Sequence, residues 1–294
     1  MEDSLRLSVG EYEIRLCDYA DPAMMRKLLE LQNVVYAGQH TFTEATFKFW
    51  YLDNPLGTVI SFNAWKDGEM VAHYACIPVQ MKIGGRVVRG LLDMATVTHP
   101  QHRGKGLFKT LAKTTYDYAS QQGYEFVVGV ANDNSYPGYI KYFPFTDVGS
   151  LEVKIGIGRN IQQNGDKTFS GYWDADAFAW RASRERYSYF KNSLYCRLAK
   201  GPFKNFPLVK IFMGHFGAKE LECAKTVKCR NPWTKPFTLY IGLGADFKGK
   251  PFVKAPKFLH PSEFHLIFLD LTDGKLPKMT RNNVFYQLVD FDVV

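Results

Sequence analysis

Apolar positions along the first half of the chain change period several times, and each change marks an element. Residues 12–17 alternate apolar and polar and predict a short strand. Asp21-Pro22 supplies an N-cap and a proline at the first helical position, and Met24, Leu28, Leu31 and Val35 follow at helical spacing. A second helix is expected over 43–51, stopping at Asn54-Pro55 with Gly57 just beyond. Residues 59–65 and 71–83, joined by Lys66-Asp67-Gly68-Glu69, read as a hairpin. Gly84-Gly85 makes another two-residue turn, into a strand over 86–98.

After His99-Pro100 the period becomes helical. Leu107, Leu111, Thr115 and Tyr118 share one face of a helix over 107–122, and Gly123 suits the position after its end. Residues 125–130 are continuously apolar, the mark of a central strand covered on both faces. Asn134 or Ser135 can cap a short helix to Tyr142, and 146–157 reads as a strand. The polar, glycine-containing stretch 158–171 reads as a linker. Beyond it the order repeats faintly: a helix over 174–186 carries Phe178, Trp180 and Arg181, as the earlier helix carries Phe47, Phe49 and Trp50. Strands are expected near 189–198, 208–213, 237–241 and 264–269. The expectation is an α/β (α+β) fold with one domain over 1–157 and a second over 172–294. The second reads as a degenerate copy, since it has no counterpart of the glycine loop described next.

Composition narrows the class. The chain has 294 residues, 46% apolar and 22% charged, as expected for a globular protein with a sizeable core. It holds no apolar run long enough to span a bilayer and no secretory pattern at its start. Its five cysteines are scattered without a Cys-x-x-Cys, and its histidines lack metal-ligand spacing; both argue against a disulfide framework or metal site and fit a reducing cytoplasm. The net charge of +8 implies an anionic partner. Lys and Arg form no block and accompany no nucleic-acid motif, so a phosphorylated small molecule fits better than nucleic acid.

The chemistry concentrates in Thr96-Val97-Thr98-His99-Pro100-Gln101-His102-Arg103-Gly104-Lys105-Gly106-Leu107. A strand ends, a proline breaks it, two glycines follow and a helix begins. Unpaired amides at a helix start hold phosphate, glycines let the backbone approach an anion, and Arg103 and Lys105 add charge. The loop is neither a Walker motif, lacking the earlier glycine and the hydroxyl, nor a dinucleotide fingerprint, since position 109 is Lys. An ordinary strand–turn–helix connection would use the same glycines.

Gln101-x-x-Gly104-x-Gly106, after a strand and opening a helix, resembles the acyl-CoA loop of the GCN5-related N-acetyltransferases (GNAT). The resemblance covers roughly residues 10–155. It implies a mixed, mostly antiparallel sheet flanked by helices, with acetyl-CoA as co-substrate and no metal. It assigns the cofactor to Ala95, Thr96, Val97, Thr98, Gln101, His102, Arg103, Gly104, Lys105, Gly106, Leu107, Asn132 and Ser135. Phe49-Trp50-Tyr51-x-x-Asn54-Pro55 and Asn132-x-Asn134-Ser135-Tyr136-Pro137-Gly138 further resemble a bacterial subgroup associated with sugar and surface-polysaccharide biosynthesis.

The implied reaction is direct attack of an amine on the thioester, with an amide near Val97 polarising the carbonyl. Asp93, on the strand before the loop, is the candidate base; an edge aspartate paired with Arg86 or Arg89 is the plainer reading, and His73 a second base candidate. The general acid stays open. Counting from Asn132 gives Tyr139, counting back from Phe145 gives Ile140, and Pro144-Phe145 stands where Gly-Phe is usual, so Tyr142 and Tyr136 are substitutes. The expected acceptor is a small-molecule amine, such as a nucleotide- or carrier-linked amino sugar, for a monomer or homodimer. A peptide amine or a non-catalytic acyl-CoA-binding module are the alternatives.

Overall fold

The computed structural model describes residues 6–36, 43–157, 161–183, 187–190, 193–196, 208–216, 236–259 and 263–291. Expected element residues at 184–186, 191–192 and 197–198 lie outside them. The chain forms two compact units, the first comprising Met1–Val79, Arg89–Val128 and Asp270–Asp273, the second Gln80–Val88, Gly129–Leu269 and Gly274–Val294.

The first unit begins with strands β1 (Arg6–Val9) and β2 (Tyr12–Leu16) and helices α1 (Pro22–Tyr36) and α2 (Glu44–Tyr51). Strands β3 (Ile60–Lys66), β4 (Glu69–Ile83) and β5 (Arg86–Thr98), helix α3 (Leu107–Gln121) and β6 (Phe126–Asn132) follow, with Gln80–Val88 of β4 and β5 and Gly129–Asn132 of β6 counted in the second unit. β1 to β4 pair antiparallel in sequence order, whereas Gly90–Leu92 of β5 run parallel to Phe126–Val128 of β6. Asp67 and Gly68 both have positive φ, as the expected tight hairpin turn requires. Helix α1 buries Met25, Leu28, Leu31 and Gln32; the inward residue of its first turn is Met25 rather than Met24, a shift of one position in the helical phase. On α3 the buried face is Leu107, Leu111, Ala112, Thr115, Tyr116 and Ala119, and the Tyr118 ring meets Phe62 of β3 edge-on at 5.6 Å.

Gly90 is a point of close approach. A Cβ there would lie 2.3 Å from the ring of Phe126, so the neighbouring strand can place its aromatic only against a glycine. Gly90→Ala is therefore expected to lower unfolding stability by about 1–3 kcal/mol, measured by urea denaturation.

His73 of β4 is fully buried in a polar cluster. Its Nε2 meets Tyr51 Oη at 2.9 Å, and its Nδ1 meets Asn63 Oδ1 at 2.7 Å and Tyr19 Oη at 3.1 Å. Burial lowers its pKa to about 3, so it is neutral and structural, without the exposure a catalytic base needs. The unfolded chain takes up this proton near pH 6.5, before the folded one does. Its contribution is thus complete above that pH and is lost as pH falls toward about 3. Unfolding free energy should decline by about 1.4 kcal/mol per pH unit more steeply in the native sequence than in His73→Gln over that window; equal slopes in denaturant titrations would contradict the assignment.

The second unit carries α4 (Tyr136–Tyr142), β7 (Thr146–Ser150), β8 (Glu152–Ile157), β9 (Gln162–Gln163), β10 (Phe169–Gly171) and α5 (Ala175–Ala182). Then come β11 (Tyr187–Phe190), β12 (Ser193–Cys196), β13 (Val209–His215), β14 (Phe237–Leu243), β15 (Ala245–Asp246), β16 (Phe252–Lys254), β17 (Phe264–Asp270) and β18 (Val284–Gln287). β14 is central, antiparallel to β8 over six residue pairs and parallel to β13. The expected strand over 146–157 is two strands. Between them the Leu151 amide turns to the carbonyl of Phe264, at 2.7 Å. Within the stretch read as linker, Phe169 is fully buried and pairs with Ile83 and Val284. Asp174 caps α5 by accepting from the Ala177 amide at 2.9 Å. Asp290 is buried, accepting from Trp173 Nε1 and the Gln287 amide, and desolvation raises its pKa to about 6.

The strands are mostly antiparallel and flanked by helices, the mixed α/β fold expected of the sequence.

Candidate functional site

β5 ends at Thr98, Pro100–His102 form one tight turn, and α3 starts at Leu107. Gly104 and Gly106 have φ of 74° and 76°, and nothing lies within 4 Å of where a Cβ would project at either. This left-handed region is one that only glycine adopts without strain. Two such residues in three turn the chain abruptly into the helix. Among the described residues, the amides of Gly104, Lys105, Gly106 and Leu107 make no hydrogen bond. They gather at the positive end of a 15-residue helix. Gln101, Arg103, Lys105 and both glycines are exposed, Leu107 is buried as the first core residue of α3, and Arg103 Nε donates to the Thr98 carbonyl at 3.3 Å.

His102 packs edge-on against Tyr12 of β2, with Tyr12 Oη 3.0 Å from its Nδ1. Desolvation, then the neighbouring His99, lowers its pKa, so the imidazole braces the loop without adding charge. This brace crosses 90 residues of sequence and has no local signature.

On β5, Val97 is buried while Ala95, Thr96 and Thr98 are half-buried. The Thr96 hydroxyl is buried without a partner among the described residues. Buried polar groups are usually paired, and Thr96 shares this condition with seven other side-chain atoms among the described residues. Asp93 is half-buried and accepts from Tyr74 Oη at 2.8 Å. Arg89, one of its expected plain partners, lies over the Tyr124 ring at 4.8 Å.

The remaining expected residues belong to the second unit. Asn132 Oδ1 accepts from the amides of Asn134 and Ser135, both at 3.1 Å, so it shapes the turn into α4. Ser135 is the N-cap by position, yet its own side chain caps nothing. Tyr139 is buried and meets the Phe145 ring edge-on at 5.4 Å; Tyr142 is exposed, with Lys141 over its ring. Tyr136 donates to Asp147 at 2.8 Å, which raises its pKa, and stacks on His265. Among the described residues no group of three His, Cys, Asp or Glu side chains could hold a metal, and no helix is long and apolar enough to cross a membrane.

A strand, a two-glycine loop and a helix with open amides, set in a mostly antiparallel sheet, form a cradle suited to an anion. Residues 17–142 match the family described as acetyltransferase (GNAT) domain. That match, confined to these residues, makes the protein by class an acyl-CoA-dependent N-acyltransferase, with acetyl-CoA as co-substrate. Among solved structures it is similar to a conserved protein of unknown function from Enterococcus faecalis V583, a probable N-acyltransferase. The TM-score is 0.54 at 11% identity, over 88% of this chain and 73% of that one. A GCN5-related N-acetyltransferase from Kribbella flavida is similar to the same degree, with a TM-score of 0.54, 10% identity, and 88% and 72% coverage. At such identities the likeness is one of fold. No curated protein matches the sequence.

Arg103→Glu combined with Gly104→Trp puts negative charge and bulk at the open amides. It should weaken acetyl-CoA binding by at least roughly tenfold, read by isothermal titration calorimetry; unchanged affinity would place the coenzyme elsewhere.

Proposed function

We propose that this protein transfers an acetyl or related acyl group from acyl-CoA to the primary amine of a small molecule, such as a nucleotide- or carrier-linked amino sugar of surface-polysaccharide biosynthesis. The observation that carries the reading is the cluster of open amides from Gly104 to Leu107 at the start of α3, a shape suited to the coenzyme's pyrophosphate. Ala95 to Thr98 would lie along the pantetheine arm, with the orphan Thr96 hydroxyl as a bonding group for it. An amide near Val97 would polarise the thioester carbonyl. Asp93 would remove the proton from the attacking ammonium, and Tyr139 or Tyr142 would return one to the leaving thiolate. Asn132 and Ser135 would contribute to the coenzyme side through the turn they build. The net charge of +8 favours a phosphorylated acceptor.

The reading of residues 172–294 as a degenerate second copy draws support from the order of α5 followed by strands, which parallels α2 followed by β3. If that half is a copy, it has lost its cofactor site, since its sequence has no counterpart of the glycine loop.

Acetyl-CoA incubated with nucleotide amino sugars should release free thiol with at least one of them, and Asp93→Asn should slow that release about a hundredfold. Release with peptide amines alone would shift the acceptor class. Binding of acetyl-CoA with no release for any amine would make the protein a binding module.

A further inference from the structure

We infer that Tyr74 is a positioning residue for Asp93, and that Tyr116 completes a hydroxyl relay tying this carboxylate to the helix that opens on the coenzyme loop. The inference rests on the reading of Asp93 as the base and names what orients it.

Three side chains from three elements form the relay. Tyr74 on β4 is fully buried, and Tyr116 on α3 is buried as well. Tyr74 Oη donates to Asp93 Oδ2 at 2.8 Å and lies 2.5 Å from Tyr116 Oη. A phenol has one proton to give. Because an ionised carboxylate can only accept, Tyr74 spends that proton on Asp93. Tyr116 must then be the donor in the second bond. The order is therefore Tyr116 to Tyr74 to Asp93 whenever Asp93 is charged, and the chain can reverse only once Asp93 itself carries a proton. Each state of the base has its own hydrogen-bond direction.

The ring of Tyr74 is fixed by the same helix. Phe108 meets it edge-on at a centroid distance of 6.1 Å and Tyr116 at 5.9 Å. These two residues are eight apart on α3, two turns along one face, and Phe108 is the second residue after the glycine loop. One helix thus presents amides to the coenzyme at its first turn and holds the Tyr74 ring with its first and third turns. The placement of Asp93 follows the placement of the loop.

A donor bonded to a carboxylate favours its charged form, and Tyr74 Oη is such a donor to Asp93. The titratable side chains facing Asp93 from packed elements include Tyr74 and Cys76 on β4, with Tyr116 on α3 behind Tyr74. Cys76 is buried and its thiol is pushed up, by desolvation first and by Asp93 second, so it stays neutral. Arg89 on the same strand is engaged with Tyr124.

The test follows the Asp93 carboxyl by ¹³C NMR of protein labelled at aspartate, with Asp93→Asn to assign the signal. Tyr74→Phe should raise the Asp93 pKa by roughly one unit, and Tyr116→Phe should raise it by less, since its bond is one step removed. The acid limb of acyl transfer should move with it, while acetyl-CoA affinity stays within about threefold of the native value. An unmoved Asp93 titration in both folded variants would overturn the relay, as would lost turnover with an unmoved acid limb. Should Tyr74→Phe not fold, Tyr116→Phe decides alone. The base assignment fails separately, if Asp93→Asn retains the native rate of thiol release.

Discussion

The first amides of an α-helix have no carbonyl one turn earlier to close onto, and at the start of α3 two left-handed glycines leave them at an exposed loop. Gly104 and Gly106 make the turn possible, the tight turn at Pro100–His102 brings the chain to it, and Leu107 anchors the far side in the core. Among the described residues, the amides of Gly104, Lys105, Gly106 and Leu107 then make no backbone hydrogen bond. Leaving four donors unpaired costs stability unless water or an anion takes them. A diphosphate satisfies several at once and meets the positive end of the helix dipole while doing so.

Around that start the sheet supplies rigidity through polar clusters as much as through apolar packing. Tyr19, Tyr51, Asn63 and His73 form one buried network; Tyr74, Tyr116 and Asp93 form another on neighbouring residues of the same strand. Because β4 alternates its faces, His73 and Tyr74 point to opposite sides of the sheet. One strand therefore carries a structural histidine on one face and a positioning tyrosine on the other. The neutrality of His73 follows from a general rule: a buried group keeps whichever state its surroundings and partners satisfy.

Much of this was legible in the sequence where local signals are strong. The strand Arg86–Thr98 and the start of the helix at Leu107 fall where turn glycines and a change of period put them. The loop's glycines adopt the backbone that a close anion would need. The short strands β1, β16 and β18 carry little alternation of their own and form because a neighbour offers a free edge, so no local pattern announces them. The break at Leu151 depends on a carbonyl more than a hundred residues away. The Tyr12–His102 brace and the Tyr74–Tyr116 bond are likewise tertiary. Asparagine Asn132 was legible as part of a motif, while its use of Oδ1 to shape a turn was visible only in three dimensions.

The most direct measurement is a ¹⁵N NMR titration with acetyl-CoA. The amides of Gly104, Lys105, Gly106 and Leu107 should shift most, and inorganic pyrophosphate should move the same set to a smaller extent. Saturable binding that leaves these four resonances in place would contradict the account.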